Sequence, residues 1–206
     1  MFSIIQAAGW PIAPLILCSI VAVALIIERL SALRTRRIAP ANLLQEVLGV
    51  SSQTIPSPDI VARLAENSVL GQVLAAGLRA LNSVPRPTEQ QLGEVFESAG
   101  RRAAHDLERY LNTLGTIATA APLLGLLGTV VGMIEIFGSQ APGSSNPTLL
   151  AHGISTALYN TAFGLMVAIP SLMFYRYFRG RVDEYLLELE QSAEQLLHHL
   201  RRFTAA

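Results

Sequence analysis

The sequence predicts an all-α membrane protein with three transmembrane helices, two of them extended into the cytoplasm, and a helical cytoplasmic region. Three observations predict it. Of 206 residues, 51% are hydrophobic and only 15% charged, against about 25% charged in an ordinary soluble domain. Three runs are long, apolar and almost without charge: residues 10–28, 113–137 and 149–178. Arginines cluster at alternating ends of these runs, as charge asymmetry across a bilayer requires. Formal net charge is zero, so no global field favours nucleic acid.

The elements follow in order. Residues 1–9 are predicted to be periplasmic. Trp10 to Ile27, "WPIAPLILCSIVAVALII", covers about 27 Å as a helix, enough for a span. No Arg or Lys precedes it and no small-residue cleavage site ends it, so a retained span is expected rather than a signal peptide. Cys18 lies within it and reads as a buried thiol, not a lipidation site, since Leu17 stands where a small residue is needed. Arg29, Arg34, Arg36 and Arg37 follow and place that end inside.

Residues 29–112 are then cytoplasmic and helical. Ala41 to Leu48 is a short helix. Ser57-Pro58-Asp59 starts another, with Pro where its missing N–H is harmless, and the helix is expected to run on unbroken through "IVARLAENSVLGQVLAAGLRALN". Thr88 and Gln91 form a capping box. No Pro occurs between Thr88 and Pro122, so one helix is expected from about Glu89 through the second span. That span, 113–137, begins inside, after Arg101, Arg102 and Arg109. The periplasmic loop, 138–148, includes the uncharged "GSQAPGSSNP". The third span, 149–178, exits past Arg176, Arg179 and Arg181 into a cytoplasmic C-terminal helix, 179–206. There Val182, Tyr185, Leu189, Ala193, Leu196, Leu200 and Phe203 recur at three- and four-residue spacing.

Small residues stripe one face of each later span. Ala121, Gly125, Gly128, Thr129 and Gly132 mark the second; Gly153, Ala157, Thr161, Gly164 and Ala168 mark the third. Such stripes let membrane helices approach closely. Thr113, Thr116 and Thr119 are expected to bond back to their own helix. Thr129 and Thr161, at similar depths, read equally as packing residues or as a polar pathway. Asn160 is costly in hydrocarbon without polar surroundings and points to protein or water, with Thr156 and Ser155 adding polarity beside it. Glu135 reads first as an interfacial residue near His152 and second as a pathway carboxylate. The middle of every span lacks Asp, Glu, Lys, Arg and His. A proton route would therefore need a titrating group from another chain. No nucleophile–base set, phosphate loop or metal-ligand cluster stands out, so no catalytic residue, metal or cofactor is expected.

"APLLGLLGTVVGMIEIF" and "GISTALYNTAFGLMVAIP" resemble the second- and third-span motifs of the ExbB/TolQ/MotA proton-channel (stator) family, most nearly its ExbB/TolQ branch. The resemblance implies a homopentamer in a bacterial inner membrane. It implies two copies of an ExbD/TolR-like single-span partner, whose transmembrane Asp titrates, and a TonB- or TolA-like protein beyond. By motif position it implies that Thr129 and Thr161 face that Asp along the proton pathway, with Thr156, Asn160 and Glu135 as further polar candidates. It gives Gly125, Gly128, Gly132, Ala157, Gly164 and Ala168 to helix packing. The implied function is to energise an envelope process such as TonB-dependent transport. The match breaks at Thr156, where ExbB and TolQ proteins usually carry Glu. A non-conducting membrane scaffold, which this break favours, and a Tol-type envelope-maintenance subunit are the alternatives.

Overall fold

The computed structural model describes residues 10–52, 54–138 and 147–204, without the side chains of Pro147, Leu149, Leu150, His152 and Thr156. Residues 1–9, most of the 138–148 loop and the Thr156 and His152 side chains thus lie outside the described residues. Within them every regular element is helical: α1 Ile12–Ala32, α2 Thr35–Ile38, α3 Leu43–Val50, α4 Pro58–Asn67, α5 Val69–Leu81, α6 Glu89–Glu108, α7 Leu111–Gly138 and α8 Pro147–Leu200, closed by a 3₁₀ turn at Arg201–Phe203. Three helical stretches are long and apolar enough to cross a membrane. In their most apolar windows only 17%, 28% and 28% of residues are buried within the chain. Most of the apolar surface is therefore left for lipid or other chains.

The chain divides into two compact units. The first comprises α1 up to Arg29, all of α7, and α8 up to Tyr177. Its core is Leu15, Ala121 and Ala168, with Leu124, Phe163 and Val167 packed against them. In hydrocarbon such a core is held by close contact rather than by exclusion of water. Arg29 is 5% exposed. Its Nη2 donates to Glu28 Oε1 at 2.7 Å, and its guanidinium lies 5.4 Å from the Tyr110 ring centre, within cation–π range.

The second unit comprises α2 to α6, with their loops, and α8 from Phe178 onward. Helices α5 and α6 meet closely: a Cβ at Gly77 would collide with the Phe96 ring. The C-terminal part of α8 runs antiparallel to α6. Arg179 Nη1 bonds Glu108 Oε1 at 2.9 Å, and Arg201 Nε bonds Glu89 Oε1 at 2.6 Å. A Cβ at Gly93 would lie 3.9 Å from Leu197. Tyr185 ties α8 to the start of the unit. Its hydroxyl donates to the Leu33 carbonyl at 3.2 Å, lies 2.9 Å from Thr35 Oγ1 and accepts from Arg181 Nη2 at 2.6 Å. Desolvation works against the Arg181 charge, but the field and hydrogen bond of Tyr185, with Glu184, outweigh it and raise the pKa.

Three expectations are corrected. The helix from Ser57 does not run unbroken to Asn82: Ser68 is extended (φ −163°, ψ 169°), and its Oγ accepts from Gly71 N at 3.0 Å, capping α5. Serine in this role satisfies an orphan N–H that a continuous helix would not leave. The helix from Glu89 does not run through the second span: Arg109 is extended (φ −51°, ψ 135°) and Tyr110 is left-handed (φ 65°), which separates α6 from α7. The stacking of Arg29 on Tyr110 favours this break, although neither residue is a sequence breaker. The short helix begins at Leu43 rather than Ala41, because Asn42 before it is left-handed (φ 73°). Pro58 at a helix start and the reciprocal Thr88–Gln91 capping box are as expected.

Candidate functional site

The small-residue stripes of α7 and α8 meet in one antiparallel seam inside the first unit. A Cβ at Gly164 would lie 2.6 Å from the Ala121 carbonyl oxygen. One at Gly125 would lie 2.7 Å from the Asn160 carbonyl oxygen and 3.0 Å from Thr161 Cα. One at Gly128 would lie 2.8 Å from Asn160 Cβ and Nδ2, and one at Gly132 3.3 Å from Ala157 Cβ. These approaches are below or at the limit of ordinary carbon contact, so the glycines are what let the backbones touch. Asn160, 2% exposed, is the polar residue enclosed by this seam, between Gly125 and Gly128. Ala157 and Ala168 are buried beside it.

The register fixes the threonines. Thr161 lies level with Gly125. Thr129 is four residues further along α7, so the two are offset by one helical turn, about 6 Å. Each follows the residue at the Gly128–Asn160 contact by one position. In an antiparallel pair this turns both toward the same side of the seam, about 100° from the contact on each helix. Leu124, Phe163 and Val167 turn to the opposite side, where Leu15 of α1 packs. Thr129 and Thr161 are half-buried and edge the side that α1 leaves open. Val130, Met133, Ile134 and Phe137 form a shallow apolar groove with Thr129 there.

Thr129 Oγ1 donates to the Leu126 carbonyl at 2.6 Å. Thr116 Oγ1 donates to Asn112 O at 2.8 Å, and Thr119 Oγ1 to Thr116 O at 3.0 Å. Back-bonding therefore satisfies the hydroxyl protons of all three, including the Thr129 proton. Glu135 is exposed on α7, and its suggested neighbour His152 and the nearby Thr156 lie outside the described side chains. Among the described residues no group of three or more His, Cys, Asp and Glu could hold a metal ion. Sequence reasoning missed the buried Arg29 and its stacking on Tyr110. A charge at the end of a span reads as interfacial, and only the tertiary structure shows it covered.

The fold and seam define a helical membrane protein of three spans, built around a glycine-lined helix pair with hydroxyls on its open side. The profile of the MotA/TolQ/ExbB proton channel family matches residues 65–191. Similar curated proteins include "Putative biopolymer transport protein ExbB-like 3" of Synechocystis sp., 33% identical over 201 residues, covering 96% of this chain and 94% of that protein. "Biopolymer transport protein exbB1" of Vibrio cholerae is 31% identical over 193 residues, covering 91% and 82%. "Biopolymer transport protein ExbB" of Aquifex aeolicus is 40% identical over 88 residues, covering 41% and 58%. The chain belongs to the MotA/TolQ/ExbB proton channel family. That family is one of channel and transport subunits rather than of enzymes.

Proposed function

We propose that this chain is the ring-forming subunit of a proton-motive-force-driven stator in a bacterial inner membrane. Five copies surround two copies of an ExbD/TolR-like single-span partner with a transmembrane Asp. The N-terminus is periplasmic and the C-terminus cytoplasmic, with spans near 10–28, 113–137 and 149–178. The single observation that carries the reading is the open side of the α7–α8 seam. It offers Thr129 and Thr161 one turn apart, while the middle of the spans holds no Asp, Glu, Lys, Arg or His. A proton carrier must then come from another chain and approach that side.

The Thr129 hydroxyl already donates to its own helix, so toward the partner it presents lone pairs. It suits a protonated carboxyl, which donates, better than an ionised one, which only accepts. Thr161 one turn away holds the same carboxyl or a relay water. Gly125, Gly128, Gly132, Ala157, Gly164 and Ala168 keep the two helices close enough to form one wall. Thr156 and Glu135 are the further polar positions along the route, with Asn160 enclosed in the wall beside Thr161, and work done by the partner energises an envelope process through a TonB- or TolA-like protein. The test is proton flux into liposomes carrying the complex purified from its own membranes. Thr161→Val and Thr129→Val should each cut flux at least tenfold while the subunit ratio is unchanged. Wild-type flux in both variants would remove the threonines from the pathway.

A further inference from the structure

A groove of about 530 Å³ runs along the second unit between α6 and the C-terminal part of α8. The antiparallel register set by Glu108–Arg179, Gly93–Leu197 and Glu89–Arg201 aligns its walls. Ala104 to Phe96 on one wall runs alongside Leu186 to Leu197 on the other. The α8 wall, Leu186 to Leu197, is three helical turns, about 16 Å. Val73 of α5, Phe96 and Leu189 are buried along it and make an apolar floor. The smallest side chains along the walls are at Gly100, Ala104 and Ala193. A Cβ at Gly100 would meet nothing within 4 Å, so the groove has room for an inserted side chain rather than being filled by its own.

The lip is acidic. Glu97, Glu190 and Glu194 line it with one base, Arg101, and Arg101 is engaged by Glu97. From Asp183 to Glu194 the α8 sequence carries five carboxylates and no basic residue. Neither Glu190 nor Glu194 makes an ion pair among the described residues. An apolar trough three turns long fits one face of a helix whose apolar residues recur at i, i+4 and i+7. The uncompensated carboxylates select cationic flanks on that helix and repel anionic ones.

We propose that this groove is a docking site for a basic amphipathic helix of another polypeptide. The inference stands whether or not the chain conducts protons.

The test uses the full-length protein in phosphatidylcholine nanodiscs, whose neutral lipid does not itself collect cationic peptide. The probe is a fluorescein-labelled 14-residue peptide, Leu on one helical face and Arg on the other, followed by anisotropy. Wild type should bind it with an affinity that falls steeply with salt. The same peptide with Glu for Arg should bind at least tenfold more weakly. Glu190→Gln with Glu194→Gln should weaken the Arg peptide about tenfold, with its salt dependence reduced. Gly100→Leu, which fills the trough, should abolish binding without lowering the melting temperature. Equal binding of both peptides, or unchanged binding in both variants, would overturn the proposal. Cross-linking from a cysteine at position 100 to a second copy of this chain, with no peptide bound, would equally overturn it, since the groove would then be a contact between copies.

Discussion

Replacing Gly125 by valine tests the seam where it packs closely on the backbone of two successive residues. The first added carbon would lie 2.7 Å from the Asn160 carbonyl oxygen and 3.0 Å from Thr161 Cα. Both are main-chain atoms, so no rotamer change can relieve the contact. Restoring an ordinary contact of about 3.4 Å requires α7 and α8 to part locally by about 0.7 Å. A gap of that size forfeits about a quarter to a half of each dispersion contact it opens, and these contacts are what hold membrane helices together. Valine's two methyls place the cost at the upper part of the overpacking range, about 2–3 kcal/mol. Reversible SDS titration in mixed micelles, followed by circular dichroism, measures it. Gly125→Val should lower the unfolding midpoint clearly. Gly100→Ala, where the added carbon meets nothing, should hold or raise it, by up to about 1 kcal/mol from helix propensity. If Gly125→Val unfolds at the wild-type midpoint, the backbones are not in contact there and the seam is wrongly drawn.

Asn160→Leu keeps the branched outline at the seam's centre but adds bulk, so the same titration should fall by about 1–3 kcal/mol; proton flux through complexes that still assemble should fall as well, and retained flux would leave Asn160 with packing alone. Tyr110→Ala loses the Arg29 stacking, for about 1 kcal/mol, and keeps a left-handed residue. Tyr110→Gly loses the same ring yet fits φ 65° without penalty, so it should be the more stable of the two by about 1 kcal/mol; the reverse order in SDS titration would deny the left-handed turn. Tyr185→Phe strips the hydroxyl shared by Leu33, Thr35 and Arg181 and should cost about 1–3 kcal/mol, read as a lower thermal midpoint with faster amide exchange around Leu33.

Much of this was legible in the residues. Hydropathy located the three membrane-crossing helices, because the long uncharged runs leave no other solution in a bilayer. The stripes from Ala121 to Gly132 and from Gly153 to Ala168 announced a close helix pair, because glycine at a four-residue spacing within a span has little other physical use. Asn160 announced its own burial through the cost of an amide in hydrocarbon. The break at Arg109–Tyr110 was not legible, since neither residue is Gly or Pro; an Arg from a distant helix stabilises it. The break at Ser68 carried a signal, a serine three residues before Gly71, but the apolar periodicity on either side masked it. Which side of the seam stays open depends on where Leu15 packs, and the acidic groove depends on the pairing of α6 with α8. Both are matters of register between segments far apart in sequence, and no local pattern encodes them.

Native mass spectrometry of the complex, drawn from its own membranes in mild detergent, tests the central claim most directly. The account predicts five copies of this chain with two of a small single-span protein that carries an Asp in its membrane helix. A monomer or dimer, or a ring that recruits no such protein, would leave no titrating group beside Thr129 and Thr161 and would contradict it.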